Sequence, residues 1–385
     1  MTDRFRWDLV ESDNPPAYLV SEEQKFPGVQ GLFFDNIPWK GQPTQVFAWM
    51  GMPYLSSGST CPGMILLHGG GGTAFVEWVR LSNLRGYAAI AIDQCGCVPE
   101  TPLIQNGALP IRHAHSGPPG WDASFDAAGE EISDQWVYHV VAAVSRARAI
   151  LASQPGVDAK RIGVTGISWG GYMTSLVAGV VPGLKCAIPV YGCGFLGENS
   201  FWNDEVFPSK PKQLIDQWLE LWDPSNYLGA ANMPMCWVSG TNDFAYPLDS
   251  LQKSYRLPSG DRTLCIRVEM PHNHIDGWLP AEIGIFADSL LRGGAPLPRL
   301  KRHGVDGQLL WAEFESVRPI LAAEINYTRA NGQWQDRKYN RLPALLDAAS
   351  GRVEAVIPNN TSVCYLNVFD DRGCVSSSPH LEIAR

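Results

Sequence analysis

The sequence predicts an α/β protein in which a mostly parallel sheet carries helices on both faces, followed by a small C-terminal all-β sandwich domain. Between about residues 60 and 291, short apolar strand-like segments alternate with helix-compatible segments, and such alternation is typical of a parallel sheet. After residue 297 the pattern changes to short alternating segments separated by turn residues, which is typical of a β-sandwich. We therefore predict one domain at 1–297 and a second at 298–385.

The predicted strands of the first domain are short and apolar. In chain order they are 45–50 (an edge strand before the main sheet), 63–67, 87–92, 161–165, 186–191, 235–239 and 264–270. The predicted helices are 75–84, 130–154, 172–181, 248–255 and 281–291. Residues 1–45 form an N-terminal extension. Segments 94–129 and 192–231 lose periodicity and are rich in glycine, proline and aromatic residues, so we predict lid-like insertions over a binding site.

Composition excludes several classes of partner. The chain has 385 residues and a net charge of -9, which argues against nucleic acid or an anionic membrane surface as the main partner. No segment approaches the roughly 20 apolar residues of a membrane span, and residues 1–16 lack the apolar region of a signal peptide. Nine cysteines without framework spacing are typical of reduced thiols. These features predict a cytoplasmic protein, and they leave its oligomeric state open.

A candidate nucleophile lies between a predicted strand and a predicted helix. Residues 166–170 read Gly-Ile-Ser-Trp-Gly, which matches the G-x-S-x-G motif of a nucleophile elbow. In that motif the serine occupies a sharp turn that exposes its hydroxyl, and the flanking glycines permit close approach of strand and helix. Ser168 is therefore the predicted nucleophile.

A serine nucleophile needs a base, and the base needs an orienting acid. In folds with this elbow, the acid and then the base follow the serine in the chain, each after a strand. Asp243 follows the predicted strand 235–239, and its other interpretation is a helix cap or turn residue. His272 and His274 both follow the strand 264–270. We predict His272 as the base, because it is the first residue able to turn back over the sheet, with His274 as the alternative.

Two backbone N–H groups are expected to stabilise the oxyanion that forms when a carbonyl is attacked. One belongs to Trp169, the residue after the serine. The second is expected from the glycine run that follows the strand 63–67, at Gly70, with Gly71 as a further candidate. Glycine suits this place because a side chain would obstruct the substrate oxygen.

Other residues have two interpretations. The pairs His113/His115 and His272/His274 have the spacing of metal ligands, but no acidic or cysteine cluster accompanies them, so we predict no metal and no cofactor. The tryptophans of the two insertions form either a sugar-stacking surface or the core of a lid: Trp121, Trp202, Trp218 and Trp222.

These motifs resemble those of the α/β-hydrolase superfamily over residues 40–295, in its branch of acetyl xylan esterases, cephalosporin-C deacetylases and dienelactone-hydrolase-like proteins. The resemblance is carried by HGGGG at 68–72, GISWGG at 166–171, GTNDFAYP at 240–247 and MPHNH at 270–274. It implies a catalytic triad of Ser168, Asp243 and His272, with amides of Gly70 and Trp169 as the oxyanion hole. Dienelactone hydrolases have cysteine at the elbow, so the serine disfavours that activity. The C-terminal domain resembles the immunoglobulin-like domains of some bacterial hydrolases.

The resulting prediction is a serine carboxylic-ester hydrolase that removes an acetyl or other short acyl group from a carbohydrate or similar small alcohol, with no cofactor. Two alternatives remain at this point. The first is a peptidase of the prolyl-oligopeptidase type, although 60 N-terminal residues are too few for its propeller. The second is an inactive hydrolase fold that serves as a binding protein.

Overall fold

A computed structural model describes residues 7, 14–100 and 110–383 of the chain. Parts of three predicted regions lie outside the described residues: 1–6 and 8–13 of the N-terminal extension, 101–109 of the insertion 94–129, and 384–385 of the C-terminal domain.

The strands of the N-terminal part are β1 (Tyr18–Phe26), β2 (Val29–Trp39), β3 (Gln42–Gly51), β4 (Cys61–Leu67), β5 (Ala88–Ile92), β6 (Cys97–Val98), β7 (Ile111–Arg112), β8 (Val157–Ile167), β9 (Ala187–Val190), β10 (Met235–Gly240) and β11 (Arg262–Arg267). The α-helices are α1 (Val76–Leu84), α2 (Trp136–Ser153), α3 (Trp169–Val180), α4 (Leu196–Asn199), α5 (Lys212–Trp222), α6 (Leu248–Tyr255), α7 (His274–Trp278) and α8 (Ala281–Leu291). The C-terminal strands are β12 (Arg299–Asp306), β13 (Leu309–Glu315), β14 (Ile320–Thr328), β15 (Asn340–Pro343), β16 (Leu345–Asp347), β17 (Arg352–Val356), β18 (Val363–Asp370), β19 (Val375–Ser377) and β20 (Leu381–Glu382).

The main sheet has nine strands in the order β1-β2-β3-β5-β4-β8-β9-β10-β11. All pairings from β5 to β11 are parallel, and those among β1, β2, β3 and β5 are antiparallel. Helices cover both faces, since α2 and α3 pack in one apolar cluster and α1 and α8 in the other. The predicted mostly parallel α/β architecture is confirmed.

The N-terminal part of the sheet differs from the prediction. Residues 45–50 do not form an edge strand, because β3 lies between β2 and β5. The extension 1–45 contributes β1 and β2, which were not predicted as strands. The alternation of β1 is weak because this strand is largely exposed. Several other bounds were also wrong. The strand predicted at 161–165 spans Val157–Ile167, and the helix predicted at 172–181 spans Trp169–Val180. The helix predicted at 130–154 begins at Trp136, since Gln135 is extended, and the strand predicted at 264–270 ends at Arg267.

The C-terminal part consists of two antiparallel sheets. One has the order β12-β13-β17-β16, and the other has the order β15-β14-β18-β19 with β20 beside β18. Apolar residues of both sheets form a separate buried cluster, which includes Phe314 and Leu366. The predicted all-β character is confirmed, while the immunoglobulin-like resemblance stays a prediction. Among the residues described, no helix combines the length and apolarity needed to cross a bilayer.

The C-terminal sheets cover the edge strand β11 of the main sheet. The N–H of Ile266 donates to Ser377 Oγ at 2.8 Å, and the carbonyl of Ile266 accepts from Asn367 Nδ2 at 3.1 Å. Ser377 and Asn367 are also hydrogen-bonded to each other at 2.7 Å. An uncovered edge strand would offer these groups to another chain. The C-terminal sheet that contains Asn367 and Ser377 therefore covers the strand that leads to the histidine segment.

This contact predicts a difference between two adjacent buried serines. Ser377→Ala leaves the buried N–H of Ile266 without an acceptor, so it should lower the free energy of unfolding by about 1–3 kcal/mol. Ser376→Ala is the matched control, because Ser376 Oγ is buried without a hydrogen-bond partner among the described residues and should be neutral or slightly stabilising to remove. Urea unfolding of both variants measures the difference. Equal stabilities would contradict a role for the Ser377 contact.

Candidate active site

Ser168 occupies a sharp turn between β8, which ends at Ile167, and α3, which begins at Trp169. Its backbone has φ 57° and ψ -119°, a region that non-glycine residues rarely adopt and that is associated with functional sites. The turn depends on glycine at both flanks. A Cβ on Gly166 would collide with the carbonyl of Gly170, and a Cβ on Gly170 would collide with the carbonyl of Leu67. The sequence therefore folds here into the strand–turn–helix that exposes a serine hydroxyl.

The structure brings three of the predicted side chains together in one hydrogen-bonded chain. His272 Nε2 lies 2.9 Å from Ser168 Oγ, and His272 Nδ1 lies 2.7 Å from Asp243 Oδ2. The carboxylate accepts a hydrogen bond from the Nδ1–H of His272. The lone pair on Nε2 then faces the serine hydroxyl. This is the geometry in which an imidazole can remove a proton from serine.

Asp243 is held rigidly in a buried turn after β10. Its side chain is 2% exposed, and Oδ1 accepts from the backbone N–H groups of Ala245 and Tyr246 at 3.0 and 2.7 Å. Because these bonds occupy Oδ1, Oδ2 remains directed at the histidine. One carboxylate oxygen of Asp243 therefore closes the turn, and the other contacts the imidazole.

The imidazole of His272 lies between two aromatic rings that sequence reasoning had not singled out for the site. Tyr191 stacks on it with ring centroids 4.2 Å apart, and Phe244 contacts it at 4.8 Å. The Tyr191 hydroxyl donates to the carbonyl of Asn273, and burial raises the pKa of Tyr191, which keeps that donor protonated. The position of Tyr191 directly after β9, at the same end of the parallel sheet as Ser168, was the available signal.

His274, the alternative base, is engaged elsewhere. Its Nε2 accepts the backbone N–H of Gly69 at 3.0 Å, and its ring packs on Phe75 with centroids 4.8 Å apart. Burial lowers the pKa of His274 to about 4, so the ring is neutral at pH 7 and can accept this bond. There is no room for a side chain beside it, because a Cβ on Gly72 would lie 2.7 Å from Nε2.

His68 holds the same glycine loop from its other side. Its Nδ1 donates to the carbonyl of Gly69 at 2.9 Å, and its Nε2 accepts from the N–H of Gln94 at 3.1 Å. This pairing identifies the Nδ1–H tautomer. Gly70 and Gly71 then line the same cavity as Ser168 and Trp169. Trp169 is the first residue of α3, so its N–H has no α-helical carbonyl partner and can donate to a bound oxygen.

A cavity of about 550 Å³ opens beside Ser168. Its walls are mainly glycine backbone and aromatic rings: Gly69, Gly70, Gly71, Trp121, Asp122, Ile167, Trp169, Phe201, Trp202, Phe244, Ala245, His272, Asn273 and His274. Of the four insertion tryptophans, Trp121 and Trp202 line this cavity. Trp202, Trp218 and Trp222 are at most 5% exposed and belong to the apolar core.

One group of potential metal ligands converges within the described part of the chain, and it is neither of the H-x-H pairs. His68, Asp93 and Cys95 bring their ligand atoms within 4.8 Å of one another. Protein hydrogen bonds already use these groups, since Asp93 accepts from Thr73 Oγ1 and from two backbone N–H groups. The cluster therefore fits a buried hydrogen-bond network better than a resident ion.

Two solved structures are similar in fold to this chain. Acetyl xylan esterase from Paenibacillus sp. R4 is similar to this chain at 20% identity and a TM-score of 0.55, over 71% of this chain and 90% of that one. Acetyl xylan esterase 1 from Thermoanaerobacterium sp. JW/SL YS485 is similar at 14% identity and 0.54, over 74% and 91%. The fold is that of the α/β-hydrolases.

The α/β-hydrolase assignment agrees with a sequence comparison. The model of the Dienelactone hydrolase family matches residues 114–253. This stretch contains Ser168 and Asp243 and ends before His272. No curated protein matches the chain. At these identities the solved α/β-hydrolases support the fold alone, and the reaction depends on the residues of the site.

Proposed function

We propose that this protein is a serine carboxylic-ester hydrolase in which Ser168, His272 and Asp243 form a catalytic triad. The observation that carries the proposal is the hydrogen-bonded chain from Ser168 Oγ through His272 to Asp243 at the wall of an open cavity. Serine is a weak nucleophile without such a base. The strained backbone of Ser168 supports the same conclusion, because the fold maintains it against its conformational cost.

In the proposed reaction, Ser168 Oγ attacks the ester carbonyl while His272 Nε2 takes its proton. Asp243 stabilises the imidazolium without itself being protonated. The tetrahedral intermediate collapses, its bond to the alcohol oxygen breaks, and His272 gives its proton to that oxygen. Water, activated by the neutral His272, then attacks the acyl-enzyme and releases the carboxylic acid and free Ser168.

The negative charge of both tetrahedral intermediates would be stabilised by the N–H groups of Trp169 and Gly70. Both residues line the cavity beside Ser168, and the loop carrying Gly70 is anchored by the bonds of His68 and His274 to Gly69. Such preorganised donors are typically worth about 3 kcal/mol each in the transition state.

The proposed substrate is a small acylated alcohol, such as an acetylated carbohydrate. A cavity of about 550 Å³ suits a ligand of this size, and exposed aromatic rings such as Phe244 can stack on the faces of a sugar. The similar solved structures include two acetyl xylan esterases, and their names guide the choice of an acetylated carbohydrate as the example.

Parallel assays test the reaction class. The wild-type protein should hydrolyse p-nitrophenyl acetate, with little or no cleavage of a prolyl-peptide anilide, and Ser168→Ala should abolish the ester activity. Amide cleavage that outpaces ester cleavage would contradict the esterase proposal in favour of a peptidase. Ester cleavage that survives Ser168→Ala unchanged would remove Ser168 from the mechanism.

A further inference from the structure

We propose that the aromatic cavity beside Ser168 binds a cationic group, so that the preferred esters carry an ammonium on the portion that enters it. The proposal rests on the esterase function above and names its substrate class. The proposal depends on three features of the cavity wall. These are an acidic side chain, several aromatic rings and the left-handed backbone of Trp121, the residue before the acidic side chain.

The acidic side chain is Asp122. Apart from the two histidines, it is the only ionisable side chain among the described residues that line the cavity. Its Oδ1 accepts a hydrogen bond from the indole Nε1 of Trp202 at 2.8 Å. Because the indole is neutral, this bond does not compensate the negative charge of the carboxylate. In the described part of the chain, no ion pair includes Asp122, whereas Asp126 on the next turn pairs with Lys210 at 2.6 Å. The cavity therefore carries a net negative charge.

The aromatic faces come from five rings that line the same cavity as Asp122: Trp121, Trp169, Phe201, Trp202 and Phe244. Phe201 and Phe244 are 37% and 47% exposed, whereas Trp169 and Trp202 are 3% and 5% exposed. Aromatic faces attract cations within about 6 Å of the ring centre. A carboxylate and partly exposed aromatic rings in one cavity therefore favour an ammonium group over a neutral group of the same shape.

The backbone and the ring contacts of Trp121 fix the position of this part of the cavity wall. It has φ 58°, a left-handed conformation that bulky residues rarely adopt. Its ring is held against His68, Trp136 and Trp169 at centroid distances of 5.5, 5.3 and 6.2 Å. The same turn places Asp122 at the cavity, next to the network that anchors the proposed oxyanion loop.

A neutral sugar would also stack on these rings, and charge dependence separates the two ligands. Choline and 3,3-dimethylbutan-1-ol have nearly the same shape and differ in the positive nitrogen. We expect Ser168→Ala protein to bind choline about tenfold more tightly than the neutral alcohol by titration calorimetry, since Asp122 is exposed and its attraction is partly screened. In wild-type protein, acetylcholine should be hydrolysed with a kcat/KM about tenfold above that of 3,3-dimethylbutyl acetate.

Two variants assign the preference to one carboxylate. In the Ser168→Ala protein, Asp122→Asn keeps the acceptor for Trp202 and removes the charge, so the preference for choline should fall to about threefold or less, the part supplied by the rings. Asp126→Asn is the matched control on the next turn and should keep the tenfold preference. A neutral alcohol that binds as tightly as choline, or a preference that survives Asp122→Asn in full, would overturn the proposal.

Failure of this inference is distinguishable from failure of the proposed function. The calorimetric arm uses a protein without the nucleophile and needs no turnover. A wild-type enzyme that hydrolyses p-nitrophenyl acetate while its Ser168→Ala variant shows no cation preference overturns only the inference. A choline preference in a protein that cleaves no ester supports the cation site and contradicts the esterase function.

Discussion

Replacement of His272 by alanine is expected to lower kcat for p-nitrophenyl acetate by about four orders of magnitude or more. The variant loses the group that takes the proton from Ser168 Oγ, 2.9 Å away, and that returns it to the leaving alcohol. KM should change little, because the ring contributes to the transition state far more than to substrate binding. Steady-state kinetics on the purified variant measures both constants.

Asp243→Asn provides the companion variant for this prediction. It preserves the shape of the side chain but replaces the acceptor that faces His272 Nδ1 at 2.7 Å, so it should also cost about four orders of magnitude in kcat. Near-normal kcat in either variant would contradict the proposed proton path. A larger loss from replacing His274 than from replacing His272 would move the role of base to His274.

Replacement of His274 by phenylalanine is expected to lower kcat by about a hundredfold, with a small change in KM. Phenylalanine keeps a ring against Phe75 but removes the acceptor for the N–H of Gly69, which loosens the loop that carries the Gly70 amide. The loss should approach that of one oxyanion-hole donor. His274→Gln retains an acceptor and should recover at least tenfold over His274→Phe. Full activity in the phenylalanine variant would contradict this positioning role.

The same residue predicts a dependence of stability on pH. Burial lowers the pKa of His274 from 6.5 to about 4, so the unfolded chain binds this proton more tightly than the folded protein does. The free energy of unfolding should therefore fall as the pH drops from 6.5 towards 4. The wild type should lose about 3 kcal/mol more over this range than His274→Phe does. Parallel acid dependences in urea unfolding would contradict the buried, neutral state of His274.

The parts of the molecule that were predictable from sequence are those in which local pattern and global fold agree. The strand that precedes Asp243 is short and fully buried, and the C-terminal half of the strand that precedes Ser168, from Ile162 to Ile167, is buried too. The ends of both strands coincide with the motifs, so strand position also gives side-chain position. Among the C-terminal strands, β13 and β17 alternate in burial because one face of each meets a core. In both regions the hydrophobic pattern carries enough information to specify the element.

The rest depended on contacts between distant segments. His272 and His274 are two residues apart after the same strand, and no local pattern separates them. Their environments differ because Glu269 turns the chain with φ 55° and because Gly69 offers an N–H to one ring only. β1 was missed because it lies at the exposed edge, where alternation is weak. The place of Trp121 depended on a left-handed backbone that sequence does not predict for tryptophan.

The central claim is that Ser168 becomes covalently acylated, and labelling with a fluorophosphonate followed by mass spectrometry tests it most directly. We predict one label per intact protein, located on the peptide that contains Ser168, and no label on Ser168→Ala or on protein unfolded beforehand. An intact protein that takes up no label at Ser168, or a Ser168→Ala variant that labels as the wild type does, would contradict the claim.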